Sequence, residues 1–446
     1  VSLSRRSLLA GLSATAAFSG LARAEAAESY INQVAGYGPL KRDAAGALDL
    51  PEGFSYRILS RTGETMSDGL RVPGKFDGMG AFDLGGGRTA LVRNHELDDE
   101  DAAISAFAGG VPAGLDLSGA YARGADGAPL AGGTTTLVLG ADGKVEQQYL
   151  SLAGTAVNCA GGITPWGSWL SCEETTAKNH GYVFEVPAAH GRLVEARPLP
   201  ALGRFKHEAA CIDPRTGIVY LTEDTKESLL YRCLPAQPGE LHKGGRLQAL
   251  AVNGMGDSRN WKGRAWSAGD WKAARWIDLD GVDNPHDDIA QRGHAAGATY
   301  FARGEGIFWG QGELYFACTS GGPGKLGQIV RYVPADREGQ PDETGARVQL
   351  FVEPSDRRVM DYGDNLAMGP GGHLIVCEDN YSPVQPNHLK GVTPDGRIYT
   401  IGRNAMAGNS EFAGVCFSPD GRTMFVNVQT PGVTFAITGP WDRFTT

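Results

Sequence analysis

The chain has no run of about 18 or more apolar residues, which excludes a helical membrane span and leads to the expectation of a soluble body. It also lacks any long apolar face at helical spacing, so a solenoid of helices is excluded. No G-x-S-x-G elbow is present, and a covalent serine of that kind is not expected. Cysteine is scarce, at seven residues in 446, with no C-x-x-C pair and no zinc-type spacing. An odd number leaves at least one thiol unpaired. Cys172, Cys211, Cys233, Cys318, Cys377 and Cys416 lie in apolar strand contexts and read as small buried hydrophobes. Cys159 differs, because Asn158-Cys159-Ala160-Gly161-Gly162 puts it at the start of a strand rather than within one. Positive charge is in deficit, 41 Lys and Arg against 51 Asp and Glu, for a formal charge of −10. That balance argues against nucleic acid or an anionic membrane as partner and is compatible with bound cations.

The first residues have the order of a targeting segment. Ser4-Arg5-Arg6-Ser7-Leu8-Leu9 precedes an apolar run through Phe18 and a small-x-small site at Leu21-Ala22-Arg23-Ala24. The paired arginines predict export of the folded protein by the twin-arginine machinery to the periplasm or beyond the cell. Removing residues 1–24 takes away Arg5, Arg6 and Arg23 and no acid, so the formal charge goes from −10 to −13.

Glycine is abundant, at 64 residues, and turn triplets such as Pro419-Asp420-Gly421 and Pro394-Asp395-Gly396 favour many short strands. Six second strands run into a polar, mostly acidic end: Leu91–Glu96, Trp169–Glu174, Val219–Asp224, Leu314–Thr319, Leu374–Asp379 and Met424–Gln429. Their partner strands begin at Asp77, Cys159, His207/Glu208, Arg303/Glu305, Asp364/Asn365 and Glu411. In a hairpin the start of one strand lies beside the end of the other, so each unit brings both polar groups to one sheet edge. A two-sheet sandwich would also give short strands but offers no reason for a polar terminus in every unit. The expectation is therefore all-β: a six-bladed β-propeller over residues 25–446 with large insertions. The largest, about 239–298, carries Trp261, Trp266, Trp271 and Trp276 at five-residue intervals and is expected to pack against the propeller's side.

Glu96, Glu173/Glu174, Glu208, Glu223/Asp224, Glu305, Glu378/Asp379 and Glu411 supply hard oxygen donors suited to calcium or magnesium. So many acids stay ionised in one cleft only if cations neutralise them. Within each adjacent pair, alternation turns only one side chain to the channel. Cys159 adds a soft thiolate that suits iron, copper or zinc. His95 and His207 are read as hydrogen-bonding neighbours of an adjacent glutamate, with nitrogen ligation as the alternative. Arg303 shares a face with Glu305, and its planar fork fits either an anion clamp or a plain ion pair.

These segments together resemble the PhoX-type alkaline phosphatases. The likeness is carried by Arg93-Asn94-His95-Glu96, the stretch from Asn158 to Glu174, Gly203-Arg204-Phe205-Lys206-His207-Glu208, Arg303-Gly304-Glu305-Gly306, Asp364-Asn365-Leu366, Cys377-Glu378-Asp379 and Glu411-Phe412-Ala413-Gly414. The resemblance implies iron (Fe3+) and calcium (Ca2+) ions around a bridging oxygen and hydrolysis of a small phosphate monoester. Carried over by position, Cys159 is the iron-binding thiolate and Arg303 the phosphoryl clamp. Glu96, Glu174, Glu208, Glu305, Glu378, Asp379 and Glu411 form the carboxylate shell. The competing readings are a calcium-dependent lactonase or esterase propeller, and a non-enzymatic propeller in which the acids hold structural calcium.

Overall fold

The computed structural model describes residues 29–382 and 385–444. The targeting segment expected at residues 1–24 lies outside the described residues. The protein is all-β, its strands joined by turns and a few short helical segments. Local chemistry closes the turns, as at Pro419-Asp420-Gly421, where the Asp420 carboxylate accepts from the Arg422 N–H at 3.1 Å and Gly421 takes φ +70°.

Six antiparallel hairpins organise the chain. They are β1 (Phe76–Gly85) with β2 (Arg88–His95), β3 (Asn158–Ile163) with β4 (Ser168–Glu173), and β5 (His207–Ile212) with β6 (Val219–Glu223). Then follow β7 (Gly304–Gly310) with β8 (Glu313–Cys318), β9 (Gly363–Met368) with β10 (Leu374–Glu378), and β11 (Phe412–Phe417) with β12 (Thr423–Val428). The odd-numbered strands neighbour one another in a closed circle, each touching the next and β11 returning to β1. The ring is stitched shut when Ser55–Arg61 pairs with Val433–Thr438, the strand outside β12. Among the described residues, hydrogen bonding sorts the strands into five sheets, in a propeller-like arrangement. The count of sheets departs from the expected six because Trp271–Asp278 pairs with both Gly245–Val252 and Arg347–Val352, merging two hairpin units into one nine-stranded sheet.

Trp271–Asp278 belongs to the stretch expected as an insertion. Its tryptophans have separate fates: Trp266 is buried in the core beside Tyr220 and Phe301, Trp276 donates to the Tyr332 hydroxyl at 2.8 Å, and Trp271 stays exposed among Arg331 and Arg347.

Neighbouring inner strands approach backbone to backbone through glycine. A Cβ on Gly78 of β1 would lie 2.5 Å from Ala160 Cα of β3, and one on Gly306 of β7 would lie 2.7 Å from Asn365 Cα of β9. Gly162 of β3 meets the Ala210 carbonyl of β5 in the same way, and Gly414 of β11 meets the Asp77 carbonyl. The strands line an open apolar cavity of about 310 Å3, bordered among others by Met79, Ala160, Ala209, Leu366 and Val415. Gly306→Ala is expected to destabilise the fold by about 1–3 kcal/mol through overpacking, read as a lowered midpoint in urea unfolding. An unchanged midpoint would show that β7 and β9 have room to part.

Candidate metal centre

Each of these six hairpins carries a β-bulge near the start of its odd-numbered strand. The register shifts between Phe76 and Met79, Asn158 and Gly161, His207 and Ala210, Gly304 and Ile307, Gly363 and Leu366, and Ala413 and Cys416. A bulge leaves a residue unpaired and re-aims its side chain. The first residues so released are Asp77, Cys159, Glu208, Glu305 and Asp364 in the first five hairpins. In the sixth, Glu411 stands just ahead of β11.

A second tier comes from the residue immediately after each even strand: Glu96, Glu174, Asp224, Thr319, Asp379 and Gln429. The backbone N–H of each donates to a carbonyl just ahead of its own odd strand, from Lys75, Val157, Lys206, Arg303, Tyr362 and Glu411 respectively. Lys75, Val157, Arg303 and Tyr362 hold φ between 42° and 53°, a left-handed conformation uncommon for bulky side chains. Strain of this kind collects where surrounding structure over-determines a site.

The two tiers meet. Ligand atoms of Glu96, Cys159 and Glu174 lie within 4.8 Å of one another, as do those of Asp77, Glu96 and Glu411, of Glu208, Glu305 and Asp364, and of Asp364, Asp379 and Glu411. Glu96, Asp364 and Glu411 each belong to two groups, so the four groups form one continuous centre. Cys159 Sγ lies 3.3 Å from Glu208 Oε1. Asn94 supports it by donating to the carbonyls of Cys159 at 3.1 Å and Ala160 at 2.7 Å, while its own oxygen accepts from Trp169 Nε1 and Ser171 Oγ. Gln429 Nε2 donates to Glu96 Oε2 at 2.7 Å.

Burial is the main electrostatic fact here. It pushes the carboxyls of Asp77, Glu208, Glu305, Asp364 and Glu411 far above their ordinary range, and the neighbouring acids push the same way. Burial also raises Asp379 to about 6, Glu96 to about 7 and Glu174 to about 8. The Cys159 thiol is raised by burial and by the charges of Asp77 and Glu208. Glu208 Oε2 and Asp364 Oδ1 are buried without a hydrogen-bond partner among the described residues, which is costly unless something positive meets them. The donor set, carboxylate oxygens with one thiol, fits hard cations alongside a softer transition metal.

Arg303 stands at the edge. Its Nε and Nη2 each reach an Asp224 oxygen at 2.7 Å, and Nη2 lies 3.2 Å from Glu305. The Tyr381 side chain, largely exposed, places its hydroxyl against Asp379 and Arg303. Lys206 Nζ lies 3.3 Å from Glu174 Oε1.

Of the residues expected from sequence, Cys159, Glu96, Glu174, Glu208, Glu305, Asp379 and Glu411 converge with Arg303 beside them. Glu378 does not join them. As the last residue of β10 it points away from the axis, and its oxygens accept from the Asp361 N–H, the His388 N–H and His388 Nδ1, with Lys390 Nζ at 3.7 Å. Glu173 and Glu223 hold the same position and the same kind of role, bonded to His180 and to Tyr231. The rings of His95 and His207 bond to the carbonyls of Gly74 and Gly203, away from the adjacent glutamates. Asp77 and Asp364, strand starts not chosen as ligands from sequence, complete three of the four groups. Their signal is an acid or thiol followed by a small residue at the start of an inner strand, as in Asp77-Gly78, Cys159-Ala160, Glu208-Ala209 and Glu305-Gly306, with Asn365 the exception.

Fold and site together define an all-β, propeller-like protein whose acidic axial centre can hold several metal ions. The family model described as alkaline phosphatase PhoX matches residues 35–138 and 124–432, and the chain belongs to the PhoX alkaline phosphatase family. No curated protein matches the sequence. Among solved structures, a gluconolactonase from Xanthomonas campestris is similar at 13% identity and TM-score 0.44, covering 90% of this chain and 100% of that one. The PQQ domain of a pyranose dehydrogenase from Coprinopsis cinerea is similar at 10% identity and TM-score 0.30, covering 88% and 97%.

Two outcomes follow for the isolated protein. The raised carboxyls keep protons in the fold at pH values where the unfolded chain has lost them. The contribution of these carboxyls to the stability of chelator-treated protein is therefore full below the ordinary carboxylate range and is lost as pH rises through about 6 to 8. Thermal melts of stripped protein should fall across that window and flatten when calcium is added; a melting point that rises would contradict the assignment of burial as the cause. Glu378→Ala, which leaves buried Lys390 and His388 without their carboxylate, should cost about 3–5 kcal/mol with no change in metal content per folded molecule, measured by denaturation and elemental analysis.

Proposed function

We propose that this protein is a metal-dependent phosphomonoesterase, exported through the twin-arginine pathway to the periplasm or the cell exterior. The hairpins are six propeller blades, two of them joined into the nine-stranded sheet through Trp271–Asp278. The observation that carries the reading is the continuous buried set of carboxylates with one thiol and a guanidinium at its edge. Cys159, with Glu96 and Glu174, would hold iron; the groups built on Asp77, Glu208, Glu305, Asp364, Asp379 and Glu411 would hold calcium and the remaining ions.

When bound, these ions supply positive charge and Lewis acidity opposite the phosphoryl oxygens. The protein's own part is orientation. Asp224 fixes the Arg303 guanidinium by two parallel bonds, so its plane is set before substrate arrives. The arginine side chain is 23% exposed, leaving an edge of its fork for the oxygens of an anion. Glu305, on the same face, keeps the guanidinium beside the carboxylate groups rather than in solvent. Tyr381 at the mouth, its hydroxyl against Asp379 and Arg303, borders the same edge of the site. A charge fixed in a largely buried setting stabilises developing negative charge more than one in water does.

Protein exported by its own signal should contain iron and calcium and hydrolyse p-nitrophenyl phosphate, with inorganic phosphate as inhibitor. Arg303→Ala is expected to lower kcat/KM about 100-fold or more while the metal content holds. Cys159→Ala should lose the iron and the activity together. A Cys159→Ala protein that keeps both, or wild-type protein that opens lactones and is indifferent to phosphate, would overturn the reading.

A further inference from the structure

Beside the centre lies a cavity of about 540 Å3 that the phosphoryl site does not use. It abuts the site at two points. Thr225 lines it, and the Thr225 carbonyl accepts the Arg303 backbone N–H at 3.0 Å; Lys206 lines it as well, with its ammonium on Glu174. A methyl or glycerol leaving group would leave most of such a volume empty, since pockets of about 300–1,000 Å3 suit drug-sized ligands.

The far wall comes from the tryptophan-bearing stretch, through Trp261, and from Ile289 and Ala290 of the short helix Ile289–Ala295. Trp261 is half-buried and held from several sides. Its Nε1 donates to the Ser320 carbonyl at 2.7 Å, and the Arg259 guanidinium, itself held by Asp257, sits 4.6 Å from the ring centroid. The preceding Asn260 takes φ 58°, and its side chain is tied to the Ala265 N–H at 2.7 Å and Glu353 at 2.6 Å. Lys325 Nζ also lies 5.1 Å from the Trp261 ring centroid. An indole flanked by these cations borders the cavity with the part of its ring they leave open, where a flat ring would meet a surface whose ordering entropy has already been lost in folding. Thr176 and Thr225 also line the cavity, residues whose hydroxyls are of the kind that pair with the polar edge of a sugar.

We propose that this cavity is the leaving-group site, and that Trp261 selects phosphate esters with a planar aromatic ring beyond a short polar spacer, as in a nucleoside 5′-monophosphate. The assignment rests on the phosphomonoesterase reading for its catalytic half. Adenosine 5′-monophosphate and glycerol 3-phosphate both release an alkoxide, so the ratio of their kcat/KM values reports the leaving-group contact rather than the chemistry. In Trp261→Ala that ratio should fall about tenfold with glycerol 3-phosphate hydrolysis unchanged, and Trp261→Phe should restore most of it. Gln291→Trp, placed at an exposed lining position, should lower the ratio by filling the cavity, which guards against misreading a folding defect. Equilibrium dialysis of adenosine alone gives an independent readout: binding to the wild-type protein and loss of binding in Trp261→Ala are expected. An unchanged ratio, or equal losses for both substrates, would overturn the proposal. If neither ester is hydrolysed, the phosphomonoesterase reading fails, and the adenosine result then decides whether the cavity is a ring-binding site.

Discussion

The whole arrangement depends on how closely the inner strands approach one another. Backbones meet across Gly78 and Ala160, Gly162 and Ala210, Gly306 and Asn365, and Gly414 and Asp77. Side chains at these points would push the strand starts outward, and the acids they carry would face separate patches of solvent. Bringing the strand starts together confines carboxylates that repel one another in a medium that solvates them poorly. The fold supplies the compression and retained protons or bound cations relieve the repulsion, so the glycines and the acids are two parts of one constraint.

The bulge in each hairpin is the second requirement. A regular strand alternates its faces, so an acid at the start of β5 or β7 would lie over a sheet rather than at the axis. Releasing Glu208 and Glu305 from pairing turns both toward Asp364. Alternation then works undisturbed on the returning strand. The last strand residue faces outward, where Glu173, Glu223 and Glu378 bind His180, Tyr231 and His388, and the next residue faces the centre. Each acidic pair thus divides its labour between holding the hairpin's end in place and offering oxygen to the axis.

Much of this is legible in the sequence because hairpins leave a mark: glycine turns, short apolar strands and polar ends recur in register. The convergence of Cys159, Glu96, Glu208 and Glu411 could be read from that recurrence. The separate roles of Glu378 and Asp379 could not, since adjacent acids look alike until the strand's end is known to the residue. Asp77 and Asp364 hid for a related reason: a bulge is a matter of backbone pairing, and only the small residue following most of these positions hints at it. The merging of two units through Trp271–Asp278 depends on long-range pairing with Arg347–Val352, to which local pattern is blind.

Closure of the ring links the centre to the history of the chain. Ser55–Arg61 pairs with Val433–Thr438 outside β12 while β11 lies against β1, and there Glu411, Asp77 and Glu96 share a site. No half of the protein holds the complete ligand set, because the groups draw on β1, β3, β5, β7, β9 and β11 and on the ends of their partners. Metal affinity is therefore affinity for the closed fold, and ion binding contributes to the stability of the closed ring. On the proposed ligation the buried Cys159 thiol would add a proton to this coupling, since the sulfur would have to release it to bind a soft ion. Because Asp77 and Glu96 come from a hairpin near one end of the chain and Glu411 from a strand near the other, the centre is complete only when the whole ring is folded.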